Sequence, residues 1–100
     1  MASDEIRLMV IFRPKAEHSA SLRSAVLGLV APTRCEQGCI EYRLHEVIGR
    51  TGELLLYEAW ASQSDLDRHL ETPALRAFVA SLDDMLAEPL SIQRLRDLGD

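Results

Sequence analysis

Cysteine, glycine, proline and aromatic residues are all scarce in this sequence, and each scarcity removes a class of protein. Two cysteines, Cys35 and Cys39, are too few for a disulfide-built scaffold, and their i, i+4 spacing is not that of a CxxC redox pair. Reduced thiols and a cytoplasmic location are expected. Five glycines and four prolines in 100 residues exclude collagen-like and low-complexity chains. Positive charge is also short: 16 acidic residues face 11 basic ones, a net charge of −5, and the arginines are scattered along the chain. A nucleic-acid partner is not expected, because phosphate neutralisation needs a basic face. No apolar run reaches the roughly 18 residues of a membrane-spanning helix, so no membrane partner is expected either. The start, Met1-Ala2-Ser3-Asp4-Glu5, lacks the basic and apolar regions of a secretory signal. Nucleotide-binding glycine loops, the nucleophile elbow, the HExxH zinc motif and the EF-hand loop are absent. His18, His45 and His69 fall on a helix start, a strand and another helix, so no metal site is expected.

What is present is a chain that is 47 % apolar and 27 % charged, enough for one packed domain over residues 1–100. Glu5 to Arg13 alternates, with Ile6, Leu8, Val10 and Phe12 on one side and Met9 and Ile11 on the other, which predicts a strand buried on both faces. Pro14 stops it. From about Glu17 the period changes, and Leu22, Ala25, Val26, Leu29, Val30 and Thr33 mark an amphipathic helix. Pro32, four residues after Gly28, predicts a kink or end there. Gly38 opens a second extended segment with Ile40, Tyr42, Leu44, Glu46 and Ile48 on one side, and Gly49-Arg50-Thr51-Gly52 reads as a hairpin turn. The third strand, Glu53 to Ala61, sets Leu54, Leu56, Glu58 and Trp60 on one face and Leu55, Tyr57 and Ala59 on the other.

Ser62-Gln63-Ser64-Asp65 reads as a capping box opening a short helix whose inner face carries Leu66, His69 and Leu70. Thr72-Pro73 caps the next helix, with Leu75, Phe78, Val79, Leu82 and Leu86 as its stripe. Pro89 ends it, and Leu90 to Leu95 reads as a last strand. The order β-α-β-β-α-β, with the second helix broken near Thr72, is the ferredoxin-like α+β arrangement with an antiparallel four-stranded sheet. Helices there cover one sheet face only. Strands apolar on both faces therefore predict that a second copy covers the other, giving a homodimer packed sheet to sheet as a dimeric α/β barrel. Tyr57 and His45 are expected in that interface.

The hairpin register decides which polar groups meet. A three-residue loop, Arg50 to Gly52, sets Tyr42 opposite Trp60 and Leu44 opposite Glu58; a four-residue loop sets Arg43 against Glu58. The first keeps the apolar side chains on one face and is the expected one. Tyr42, Glu58 and Trp60 then share a largely apolar sheet face with His69 above it. A carboxylate and an imidazole in such surroundings are candidate acid/base groups, and the phenol and indole can orient a ligand or hold an oxyanion. Read as an ordinary core, the same residues are an interior aromatic, a buried carboxylate paired with Arg34 or Arg43, and a satisfied interior histidine.

Thr33-Arg34-x-Glu36-x-Gly38-Cys39-Ile40-x-Tyr42, followed by Leu55-Leu56-Tyr57-Glu58-x-Trp60, Leu66-x-x-His69-Leu70, Pro73 and Phe78, resembles the antibiotic biosynthesis monooxygenase (ABM) domain family over nearly the whole chain. The resemblance implies a ferredoxin-like dimer with a pocket between helices and sheet. It also implies a monooxygenase that uses no cofactor, acting on a small aromatic substrate, a quinol or polyphenol, with dioxygen. Trp60 matches a pocket tryptophan, and Tyr42, Glu58 and His69 match residues of the common pattern. Some polyketide-oxygenating members carry asparagine where this chain has Leu56 and tyrosine where it has Leu66, so the pocket here is less polar. A non-catalytic protein that binds a small aromatic compound or acts in stress, a haem-degrading relative and a sugar-phosphate isomerase stand as alternatives within the same resemblance.

Overall fold

The computed structural model describes residues 4–99. Strands β1 (Ile6–Phe12), β2 (Cys39–Glu46), β3 (Leu54–Trp60) and β4 (Ser91–Leu95) form one antiparallel sheet in the order β2-β3-β1-β4. Helix α1 (Ser19–Arg34) connects β1 to β2, preceded by a single 3-10 turn at Ala16–His18, and α2 (Gln63–Leu70) and α3 (Pro73–Met85) connect β3 to β4. This is the ferredoxin-like split arrangement expected from the sequence.

The break between α2 and α3 comes from local chemistry. Ser62 caps α2, its Oγ accepting from the Asp65 N–H at 3.2 Å and donating to Asp65 Oδ2 at 2.9 Å. Thr72 ends one helix and begins the next: its Oγ1 donates to the His69 carbonyl at 2.9 Å and accepts from the Leu75 N–H at 3.3 Å. Pro73, with no N–H to lose, takes the first helical position of α3. Two glycines carry the tight reversals on either side of β2: Gly38 and Gly49 have φ of 85° and 88°, a region open to glycine at little cost.

Leu22 and Val26 of α1, Val10 and Phe12 of β1, Leu54 and Leu56 of β3 and Leu82 and Met85 of α3 fill the space between sheet and helices. Phe78 closes it with an edge-on contact to Phe12, ring centroids 6.1 Å apart. Each buried leucine or phenylalanine contributes about 1.5–3 kcal/mol relative to exposure, so this layer is the main source of stability. On the other sheet face Arg7, Met9, Ile11, Leu55 and Tyr57 are half-buried, with Arg7 Nη1 donating to the Tyr57 hydroxyl at 2.6 Å. His45 lies on that face too, exposed.

Four sequence expectations are refined or corrected. Helix α1 ends at Arg34, two residues past Pro32. Pro32 and Gly28 are both exposed, so the Gly28 carbonyl that loses its bond faces water. The hairpin loop is longer than either expected form: the Val47 N–H meets the Glu53 carbonyl at 3.0 Å, leaving residues 48–52 in the loop. Tyr42 therefore faces Glu58, and Leu44 faces Leu56. The displacement from the expected register is an even number of residues, so from Glu41 to Glu46 every side chain of β2 stays on its face. Third, a bulge between Cys39 and Glu41 reverses the alternation at the start of β2. Ile40, expected inside with Tyr42, is 48 % exposed, and Cys39 packs against the core instead. Finally, Leu70 and Val79 lie outside their helices' buried stripes, 51 % and 53 % exposed.

Candidate active site

The inner face of β3 carries Glu58 and Trp60, two residues apart and hence on the same side of the pleat. Across the sheet Glu58 sits in a row between Leu8 of β1 and Tyr42 of β2. Helix α2 lays His69 over this row. The structure thus brings together all four residues singled out from the sequence, and all are buried: Tyr42 2 %, Glu58 6 %, Trp60 0 % and His69 2 % exposed.

Their contacts differ from the ordinary-core expectation at Glu58. Neither arginine pairs with it: Arg34 Nε donates to the Tyr42 carbonyl at 3.1 Å, and Arg43 lies 3.5 Å from Glu41. The Glu58 carboxyl accepts from the Trp60 indole, Nε1 to Oε1 3.0 Å. The His69 ring lies tilted on the Trp60 indole, centroids 4.6 Å apart at 31°, and meets Tyr42 edge-on at 5.6 Å and 72°.

Burial pushes the Glu58 carboxyl above its ordinary range; the Trp60 hydrogen bond and the charge of a protonated His69 pull it down, and the Glu36 charge adds to the rise. Protonation of Glu58 is therefore easier here than in water, as acid/base work requires. Burial also raises the Tyr42 phenol, reinforced by the Glu58 charge and opposed by a hydrogen bond with the Thr33 side chain. Tyr42 is thus a neutral hydrogen-bonding group rather than a base at neutral pH. The Cys39 thiol is raised by burial and by Glu36 and Glu58, which makes it a poor nucleophile.

One member of the cluster has no role assigned from the sequence, where it appears only within the Thr33–Tyr42 segment that carries the family resemblance. Glu36, on the turn between α1 and β2, reaches His69 Nδ1 with both oxygens, at 3.0 Å and 3.2 Å. Its place just before Gly38 marks it as a turn residue; its partner lies 33 positions away on another helix, and no local pattern reveals that docking. Two surface concavities, of about 500 and 510 Å³, lie elsewhere. One is bounded by Leu82, Leu86 and Leu90, the other by the β2–β3 loop and Arg23. Neither is lined by the four buried residues.

The model of the antibiotic biosynthesis monooxygenase family matches residues 6–81. The chain belongs to that family. The match covers every residue of the cluster and stops before β4. Among similar proteins, "Putative monooxygenase Rv0793" of Mycobacterium tuberculosis is 30% identical over 95 residues, spanning 95% of this chain and 93% of its own. "Putative monooxygenase YcnE" of Bacillus subtilis is 29% identical over 89 residues, 89% of this chain and 94% of its own. The solved structure of Rv0793 superposes with a TM-score of 0.89, covering 96% of this chain and 97% of that one. PA3566 from Pseudomonas aeruginosa, 26% identical, superposes at 0.90 over 99% of both chains.

Proposed function

We propose that this family member is a cofactor-independent monooxygenase that oxidises an electron-rich aromatic, a quinol or an anthrone-like phenol, with dioxygen. The observation that supports it most is the buried cluster of Tyr42, Glu58, Trp60 and His69, in which a proton-accepting carboxyl and an imidazole pack against an indole in apolar surroundings. Dioxygen reacts slowly with closed-shell organics, but an ionised phenol can donate one electron to it. The protein then has to remove the substrate proton, exclude water and hold the developing oxyanion. In this assignment His69 or Glu58 takes the proton, Trp60 positions the ring and Tyr42 donates a hydrogen bond. At a carbon bearing two hydrogens, one oxygen atom becomes the new carbonyl. The other leaves as water with both hydrogens, so the substrate supplies all the electrons. The half-buried face bearing Met9, Ile11, Leu55 and Tyr57 is assigned to a second copy of the chain, giving a homodimer.

A second role, holding a small aromatic compound without turnover, is favoured by one observation. Among the described residues no buried side-chain nitrogen or oxygen lacks a hydrogen-bond partner, so the carboxyl, indole and phenol of the cluster are satisfied without a substrate. Dioxygen uptake with a panel of quinols and anthrone-like phenols separates the two. Uptake by the wild type that falls in both Glu58→Gln and His69→Ala supports the oxygenase. Uptake unchanged in both variants refutes the assignment, and absent uptake with a ligand-induced rise in melting temperature supports binding alone.

A further inference from the structure

Where Nδ1 of His69 points, and what holds it there, bears on which group takes the proton. We infer that Glu36 is a positioning residue that fixes His69 with its proton on Nδ1, leaving Nε2 as the proton-accepting atom of the cluster. The catalytic consequence rests on the oxygenase proposal; the tautomer itself does not.

Both Glu36 oxygens lie within hydrogen-bonding distance of Nδ1, at 3.0 Å and 3.2 Å. An ionised carboxylate can only accept, so the nitrogen between those oxygens carries the hydrogen. In a neutral imidazole the other nitrogen is then the free lone pair. This is the minority tautomer of histidine in water, and an acceptor fixed beside Nδ1 is what selects it.

The acceptor is fixed by backbone. Glu36 N–H bonds the Thr33 carbonyl at 2.9 Å and the Glu36 carbonyl receives the Cys39 N–H at 3.2 Å, so the residue sits inside a closed turn. That turn docks against α2 at Gly38, where an added Cβ would lie within 2.1–2.5 Å of the Asp65 side chain. The ring is equally constrained, with Trp60 tilted against one side and Tyr42 edge-on. The ionisable groups around it are Glu36, Glu58 and Tyr42. Glu36 is 25 % exposed and His69 2 %, so the carboxylate links a buried imidazole to the surface. When Nε2 takes a substrate proton, the new positive charge already has its counter-charge, which a buried ion needs.

The test is two-bond proton–nitrogen correlation of the imidazoles in uniformly labelled protein at pH 8, with His69 assigned by its loss in His69→Gln. The wild type should show a protonated Nδ1 and a bare Nε2. Glu36→Gln retains an acceptor oxygen and should retain the pattern. Glu36→Leu should turn the signal over to the Nε2–H form. If Glu36→Leu does not fold, the wild type and Glu36→Gln decide. A bare Nδ1 in the wild type, or an unchanged pattern in a folded Glu36→Leu, overturns the inference even if the enzyme turns over. With an oxygenated substrate in hand, Glu36→Leu should lower kcat by about tenfold or more with KM little changed, since a general base contributes roughly 10²–10⁴-fold. Absent turnover in the wild type would instead sink the oxygenase proposal and leave the tautomer result standing.

Discussion

Replacing Trp60 with phenylalanine isolates the interaction at the centre of the cluster. The indole Nε1–H donates to Glu58 Oε1 at 3.0 Å, between two side chains that are 0 % and 6 % exposed. Phenylalanine keeps a ring against His69 but removes that donor. When Glu58 is ionised the loss is that of a hydrogen bond to a charged group, about 1.5–3 kcal/mol. When Glu58 is protonated only a neutral bond is lost, about 0.5–1.5 kcal/mol. A packing loss from the smaller ring applies equally to both. Burial raises Glu58 on folding, so its unfavourable contribution is absent below the unfolded carboxylate value, near 4.3. It grows as pH rises from there through the folded value. Removing a donor that opposes the rise extends the window upward. The variant should therefore be penalised more at pH 8 than at pH 4.5, by about 1–1.5 kcal/mol, the gap between the two hydrogen-bond costs. In a domain of this size that is about 4–12 °C in melting temperature. The assay is thermal and urea unfolding of both proteins at each pH, at one fixed protein concentration. A Glu58→Gln background should abolish the pH dependence of the Trp60→Phe penalty. A penalty equal at both pH values, or one that persists in that background, refutes the account of Glu58.

Two glycines should respond in opposite directions to alanine. Gly38→Ala meets a positive φ, which costs about 1–2 kcal/mol, and a collision with Asp65 in addition. Gly28→Ala, in an exposed helix interior with nothing within 4 Å, should stabilise by about 0.5–1 kcal/mol; melting temperatures of both variants check the pair. Light scattering should return twice the monomer mass of 11.2 kDa, and the monomer value would remove the sheet-to-sheet partner.

The order of elements was legible because each boundary has its own chemistry: Pro14, Gly38, the Ser62 box and Thr72-Pro73 all act within a few residues. The inward faces of β1 and β3 were legible from alternation alone. The register was not, because a period of two cannot distinguish pairings that differ by two residues, and only the bonds of the 48–52 loop decide. The Cys39/Glu41 bulge left no local signal, so Ile40 and Cys39 were placed on each other's faces. At the site, Tyr42, Glu58, Trp60 and His69 were recognised through strand spacing and family resemblance. Glu36 depends on how α2 docks on the α1–β2 turn, a tertiary fact, and so does the choice of Trp60 over an arginine as the partner of Glu58.

Trp60 is also the chain's only tryptophan. Its intrinsic fluorescence therefore reports a single place, with the imidazole of His69 against the ring and the carboxyl of Glu58 on its nitrogen. Protonated imidazole quenches indole emission, water reaching the buried ring shifts it to the red, and an aromatic guest against the ring alters its lifetime. Proton transfer, opening and occupancy at this cluster thus each have a distinct optical signature, readable without any added label.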